Sequence, residues 1–188
     1  MEDNIQFIEL QKIDLSNVEL KGRILDIGGG GEGIIGQLKG EQVVAIDRRE
    51  SELKEAAPGD YLKIIMDAKD LQFLDETFDT TTAFFTLMYI PLSNHQKVFQ
   101  EIYRVTKKGG EFVIWDFIIP NRGISDKDLY GLYLEVKIGE KKISTGYATK
   151  WNKEQDLEYY LNLGASIGFK SVEKKIMDQM FYIRFQKV

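Results

Sequence analysis

The segment richest in possible chemistry reads Ile24-Leu25-Asp26-Ile27-Gly28-Gly29-Gly30-Gly31-Glu32-Gly33. A short apolar run passes directly into glycines, which can take positive φ and let backbone come close to a ligand, and the loop opens a helical pattern. Gly28, Gly30 and Gly33 fit the G-x-G-x-x-G spacing of nucleotide-binding loops, a pattern that is weak alone. Two more acids, Asp47 and Asp67, stand at the ends of the next two apolar runs. Asp47 follows Gly28 by 19 positions, where a carboxylate can accept from both hydroxyls of a ribose. Asp67 can accept from an adenine amino group while Ala68 offers its backbone N–H to a ring nitrogen. One strand-end acid alone is equally well a cap for the next helix. Acids at three successive strand ends, with a glycine loop behind the first, point to an adenosine-type ligand.

Asp26 divides the ligands that such a loop could hold. A carboxylate two residues before the first glycine repels a diphosphate in reduced dielectric. S-adenosyl-L-methionine instead brings an ammonium and a sulfonium, which an acid under the loop tolerates or attracts. Charge therefore favours methyl transfer over hydride transfer. A nicotinamide-dependent oxidoreductase using the same loop, and a non-catalytic module binding S-adenosylmethionine, stand as the alternatives.

The elements that must position these groups alternate between strand-like and helical patterns. Residues 23–27, 43–46, 61–66, 80–86 and 111–117 are short, largely β-branched or aromatic runs, as strands buried on both faces require. Helices are predicted over 34–39, over 49–57 up to Pro58-Gly59, and over 93–107. The last has a Ser93/Gln96 capping box, an apolar face of Val98, Phe99, Ile102 and Val105, and a Lys107-Lys108-Gly109-Gly110 terminus. Beyond Phe117 the alternation gives way to a predicted hairpin, 132–138 with 142–148, turning at Gly139-Glu140. A helix capped by Asn152 and ended by Gly168 follows. The runs 170–177 and 179–186 are too close for a crossover and must pair antiparallel. The first 20 residues form either a short helix or a segment laid over the domain. The expected organisation is a single domain over 1–188, with a substrate-side hairpin insertion over 117–151.

With these motifs in place, the chain resembles the class I S-adenosylmethionine-dependent methyltransferases over about 21–117. Leu25-Asp26-Ile27-Gly28-Gly29-Gly30 is similar to that family's first motif, Val44-Ala45-Ile46-Asp47 to its second, and the stretch from Met66-Asp67-Ala68 to Phe73 to its adenine-binding segment. Thr77-Phe78-Asp79 and Arg104-Val105-Thr106-Lys107-Lys108-Gly109-Gly110 match before the fourth and fifth strands. The resemblance implies an α/β fold with a doubly wound, mostly parallel seven-stranded sheet, Rossmann-like, whose last strand runs antiparallel. It implies S-adenosyl-L-methionine as cofactor, held by Asp26, Gly28, Gly29, Gly30, Asp47, Arg48, Asp67, Ala68 and the Phe84 backbone carbonyl. Where the family usually has a third glycine this chain has Glu32, followed by Gly33, so the loop is expected to be one residue longer.

The acceptor side is less legible. The resemblance implies that Phe85, Met88 and Tyr89 lie near the sulfonium, where aromatic faces can stabilise a cation. Asp116, at the end of the fifth strand, is either an acceptor-site acid or a loop cap. His95, the single histidine, reads as a solvated residue in the first turn of its helix. Tyr130, Tyr133, Tyr147 and Trp151 either cover the acceptor or pack under the hairpin. Methyl transfer needs alignment and exclusion of water more than a base.

Composition narrows the classes further. The chain has 188 residues, 43% hydrophobic and 29% charged, enough for one buried core. With no cysteine, thiol nucleophiles, Cys-ligated zinc, iron–sulfur clusters, arsenic methylation and pyrimidine C5 methylation drop out. A net charge of -5 argues against non-specific nucleic-acid binding. Tyr89-Ile90-Pro91-Leu92 stands where amino-methylating enzymes of adenine or glutamine carry Asn/Asp-Pro-Pro-Tyr. A small-molecule acceptor is expected, ahead of protein or RNA. The start Met1-Glu2-Asp3-Asn4 lacks signal-peptide features, and no run approaches the roughly 20 apolar residues of a membrane span, so a cytoplasmic location without membrane contact is expected.

Overall fold

A computed structural model describes residues 4–188. In chain order its elements are β1 (Ile5–Asp14), β2 (Ile24–Ile27), α1 (Ile34–Lys39), β3 (Val43–Asp47), α2 (Glu50–Glu55), β4 (Leu62–Ile65) and β5 (Phe78–Phe84), then α3 (Leu92–Val105), β6 (Thr106–Phe117), β7 (Leu129–Ile138), β8 (Lys141–Lys150), α4 (Leu157–Ile167), β9 (Phe169–Met177) and β10 (Met180–Lys187). A seven-stranded sheet has the order β4-β3-β2-β5-β6-β10-β9. Its pairs from β4 to β6 are parallel, and β10 runs antiparallel to both β6 and β9. This is the doubly wound sheet with an antiparallel last strand that the sequence predicts.

The strand order reverses between β2 and β5, so a crevice opens beyond their carboxyl ends, at the point where the glycine loop leaves β2. One face of the sheet packs against α1 and a separate three-stranded sheet, β1-β7-β8, through Trp115, Phe117, Tyr130, Leu132, Leu134 and Val136. The other face packs against α3 and α4 through Val98, Phe99, Ile102, Tyr160 and Leu161. β2, at the centre, is buried at every position. β4, expected to be covered on both faces, is instead the sheet's edge, and Leu62 and Ile65 are exposed there.

Two regions depart from the sequence reading for non-local reasons. The N-terminal segment is neither a helix nor a loose cover but the strand β1, paired parallel to β7. Its hydrogen-bonding partner lies more than a hundred residues away in sequence. The hairpin β7–β8 turns at Gly139 (φ 58), as expected, and its alternation puts Leu132, Leu134 and Val136 inward against the large sheet.

The helix ends also shift. α3 begins at Leu92 behind Pro91, whose ring fixes its φ at -57, and no side chain caps it; Ser93 is already inside the first turn. At its other end the chain enters β6 at Thr106, so residues 107–110 form an irregular stretch of strand around Gly109 (φ 76) and not a helix terminus. α4 is capped by Asp156, which accepts from the Tyr159 N–H at 2.8 Å, and not by Asn152; Gly168 (φ 116) ends it. Among the described residues no helix is long and apolar enough to cross a membrane.

Candidate functional site

A cavity of about 580 Å³ occupies the crevice beyond β2, β3, β4 and β5, within the range of about 300–1,000 Å³ usual for small ligands. Its lining includes Asp26, Gly28, Gly29, Gly30, Asp47, Arg48, Asp67, Ala68 and Phe84, so the structure gathers in one place every residue expected to hold a cofactor.

The glycine loop is tightly built. Gly28 has φ 69, and a Cβ there would lie 2.3 Å from the Thr86 Cγ2. A Cβ on Gly29 would lie 2.5 Å from the Asp26 Oδ2. The loop spends some amides on its own shape: the Gly29 N–H donates to the Ile46 carbonyl at 3.0 Å, and the Gly31 N–H to the Glu52 carbonyl at 3.0 Å. Gly33 (φ 61) serves as the N-cap of α1. Glu32, the departure from the family pattern, turns sideways to the hairpin: its carboxylate accepts from the Thr145 hydroxyl and from the Tyr147 hydroxyl, the latter at 3.0 Å.

Asp26 lies beneath this loop, 2% exposed, and accepts from the Thr82 hydroxyl at 2.7 Å. Burial raises its pKa to about 7; the Thr82 bond opposes this and the Asp47 charge adds to it. Asp47 and Asp67 each spend one oxygen on their own loop. The Asp47 Oδ1 accepts from the Arg49 N–H at 2.8 Å, and the Asp67 Oδ1 from the Lys69 N–H at 2.9 Å. Among the described residues the Asp67 Oδ2 has only the Lys69 ammonium, at 3.6 Å, and a Cβ on Gly30 would come within 3.2 Å of the Asp47 Oδ2. Capping and ligand binding are therefore compatible in both residues. Such a donor set suits a ligand that sets positive charge near Asp26 and hydroxyl or amino donors near Asp47 and Asp67.

On the opposite wall, Phe85 adopts φ 48 and stacks on Tyr147 at 5.2 Å between centroids. Tyr89 is half exposed and lines the same space. The Phe84 carbonyl accepts from the Thr86 hydroxyl at 3.2 Å. Met88, expected there too, is 1% exposed and belongs to the core, not the cavity. Of the hairpin aromatics only Tyr147 reaches the cavity. Tyr130 and Trp151 pack against each other under the hairpin, and Tyr133 stacks on Phe7 on its outer side.

The turn from Leu87 to Ile90 that carries Tyr89 is held by side chains that sequence reasoning missed or misplaced. Asp116 is wholly buried and works as a cap, not an acceptor acid: its Oδ2 accepts from the Met88 N–H at 3.1 Å, its Oδ1 from the Phe117 N–H at 2.9 Å and the Gln155 Nε2 at 3.0 Å. Burial pushes its pKa to about 7. His95 is buried, not solvated; its Nε2 donates toward the Leu87 and Ile90 carbonyls at 3.2 and 3.0 Å, and its Nδ1 accepts from the Tyr159 hydroxyl at 3.0 Å. Desolvation, followed by the neighbouring Lys153 charge, lowers its pKa to about 4. Lys153 donates to the Ile90 carbonyl at 2.8 Å and the Thr149 hydroxyl to the Met88 carbonyl at 3.0 Å. Glu32 stands out in the sequence as the residue that interrupts the glycine pattern, but its pairing with Thr145 and Tyr147 does not. Nothing local distinguishes Thr149, Lys153 or Gln155.

The comparisons with known proteins agree with this arrangement. Residues 25–114 match a family described as a methyltransferase domain. Over 63 residues the chain is 44% identical to the sterol 4-C-methyltransferase strm-1 of Caenorhabditis elegans, a match that spans 33% of this chain and only 18% of that protein. It is 28% identical over 181 residues to the ubiquinone/menaquinone biosynthesis C-methyltransferase UbiE of Klebsiella pneumoniae, covering 86% of this chain and 71% of the relative. Among solved structures, a SAM-dependent methyltransferase from Methanosarcina mazei superposes with a TM-score of 0.67 at 17% identity, covering 91% of this chain and 94% of the other. That likeness is one of fold.

Proposed function

We propose that this chain, which belongs to the class I S-adenosylmethionine-dependent methyltransferases, transfers the methyl group of S-adenosyl-L-methionine to a small-molecule acceptor in the cytoplasm. The observation that carries the reading is the buried Asp26 carboxyl under a glycine loop, with two further carboxylates at the ends of β3 and β4 facing the same cavity. When bound, the cofactor supplies a methyl carbon already activated by its sulfonium.

The chain's own residues then bind, orient and exclude water. Asp26 holds negative charge beneath the cationic part of the ligand. Asp47 accepts from the ribose hydroxyls and Asp67 from the adenine amino group, each through the oxygen not spent on its loop. Phe84 lines the same cavity, and its carbonyl serves as an acceptor for the ammonium. Tyr147, at the end of the Phe85 stack, closes the far wall and keeps water from an in-line attack. A cavity bounded in this way favours a small acceptor over a macromolecular one.

The test is calorimetry with S-adenosylhomocysteine and, separately, NAD(H), followed by transfer of an isotope-labelled methyl group to a metabolite extract. Binding of the adenosyl compound alone and label in the acid-soluble fraction are expected. Binding of NAD(H) alone would overturn the cofactor assignment, and label confined to precipitated protein or RNA would overturn the small acceptor.

A further inference from the structure

We infer that Glu32 makes the acceptor end of the cavity a site for a small amine, and hence that the methyl group is passed to nitrogen; this rests on the methyltransferase reading above. The sheet order sets the two ends of the cavity. β3 and β4, with Asp47 and Asp67, lie on one side of the glycine loop, whereas β5 and β6 lie on the other. Glu32 turns to this second side, since Thr145 and Tyr147 of β8 are its partners. A carboxylate offers about four lone-pair directions, so these two hydroxyls leave room for an N–H donor from a ligand.

The surroundings favour a cation. Burial, and after it the nearby Glu32 charge, holds the Tyr147 phenol protonated well above its usual range, so its hydroxyl donates to the Glu32 carboxylate. The cations that line the cavity, Arg48, Arg49 and Lys69, follow β3 and β4. Arg49, whose charge also reaches Tyr89, is held by Glu52 at 3.1 Å, and Lys69 lies 3.6 Å from Asp67. A carboxylate acceptor would meet Glu32 with Asp26 behind it, and among the described residues that line the cavity none contributed by β5, the turn after it or β8 is a cation. Phe85, Tyr147 and Tyr89 give an organic amine flat apolar surface beside the carboxylate. In the step itself the ammonium acceptor gives one proton to solvent. The freed nitrogen lone pair forms the N–C bond as the C–S bond breaks, its electron pair leaving on sulfur.

The test uses three probes of one shape, benzylamine, benzyl alcohol and benzoate, titrated by ligand-observed NMR into the full chain saturated with S-adenosylhomocysteine. Benzylamine should bind at least about tenfold more tightly than benzoate, as a charge-assisted hydrogen bond implies. Glu32→Gln should abolish that preference while leaving S-adenosylhomocysteine affinity within about twofold, and Tyr147→Phe should keep the preference. The inference is overturned by equal or tighter binding of benzoate, by binding of none of the probes, by a preference that survives Glu32→Gln, or by its loss in Tyr147→Phe. A parallel loss of S-adenosylhomocysteine affinity in Glu32→Gln would assign the carboxylate to the cofactor and overturn it too. Failure of the unaltered chain to bind S-adenosylhomocysteine would instead remove the methyltransferase reading on which the inference rests.

Discussion

Cofactor binding should be coupled to the loss of one proton from Asp26. In the free protein this carboxyl has a pKa of about 7, because it is buried and Thr82 is its one side-chain donor among the described residues. A cationic ligand placed against it favours the ionised form, so the protonated fraction must be given up on binding. At pH 5 about 1% of Asp26 is ionised and at pH 8 about 90%, which gives roughly a 90-fold weaker affinity at the lower pH, or about 2.7 kcal/mol. Titration calorimetry with S-adenosylhomocysteine, in buffers of different ionisation enthalpy, reads both quantities. Near pH 6 about 0.9 proton should be released per ligand bound, and Asp26→Asn should abolish the release and flatten the affinity profile. The Asn variant keeps an oxygen for Thr82, so the fold should survive. A pH-independent affinity, or the same slope in Asp26→Asn, would refute the electrostatic account.

The same shift has a consequence for stability, with the sign set by which state binds the proton more tightly. Between about pH 4 and pH 7 the folded chain keeps Asp26 protonated while the unfolded chain has lost the proton, so folding becomes less favourable as pH rises. The contribution present below the ordinary carboxyl pKa and lost by pH 7 is on the order of 4 kcal/mol. Asp26→Asn should therefore raise the unfolding temperature of the unliganded protein at pH 8 while weakening the ligand. An enzyme-like site keeping a destabilising charge for function behaves in this way.

Other outcomes follow from single groups. Asp47→Asn keeps an oxygen for the Arg49 N–H but loses the charge offered to the ribose, and should weaken S-adenosylhomocysteine by about 1–3 kcal/mol in the same calorimetric assay; an unchanged affinity rejects the ribose assignment. Gly28→Ala forces a side chain into φ 69 against Thr86 and should cost about 1–3 kcal/mol of stability in thermal or denaturant unfolding. His95 stays neutral to about pH 4, so its ring proton resonance, free of overlap in a chain with one histidine, should not titrate near pH 6.5. Its contribution to stability is complete above pH 6.5 and lost as pH falls toward 4, roughly 3 kcal/mol in all, and a normal titration would show the ring to be solvated.

What could be read from the sequence was what depends on local pattern or on the sign of a ligand's charge. The central strands announce themselves by β-branched runs because burial on both faces demands them, and the last strand's direction follows from the short 178–179 connection. The acids of the cavity were visible because strand ends in this sheet converge on one edge. By contrast β1 was hidden, since its partner is β7, a strand about 124 residues away in register at Ile5 and Leu129. His95 was misread because its helix position says nothing of the carbonyls of the preceding turn, to which it is bound in space. The Ser93 box lost to Pro91, whose fixed φ starts the helix one residue earlier. The hairpin aromatics were identified as a group, but only the pairing register decides that Tyr147 meets the cavity while Tyr130 and Trp151 do not.

Asp26 and Asp116 show why a buried carboxyl becomes informative only with its donors in view. Both sit at or near the carboxyl end of a central strand, both are essentially without solvent, and burial lifts both to about 7. Around Asp116 the protein supplies the Met88 and Phe117 N–H groups and the Gln155 amide, with Tyr160 fixing Gln155 at 2.7 Å. That carboxyl is complete, and its effect is to fix the turn beneath Tyr89. Around Asp26 there is, among the described residues, Thr82 alone, and the remaining oxygen lies beside Gly29 at the wall of the cavity. The difference in donor supply, not the shared pKa, separates a structural clasp from a charge that a ligand must complete.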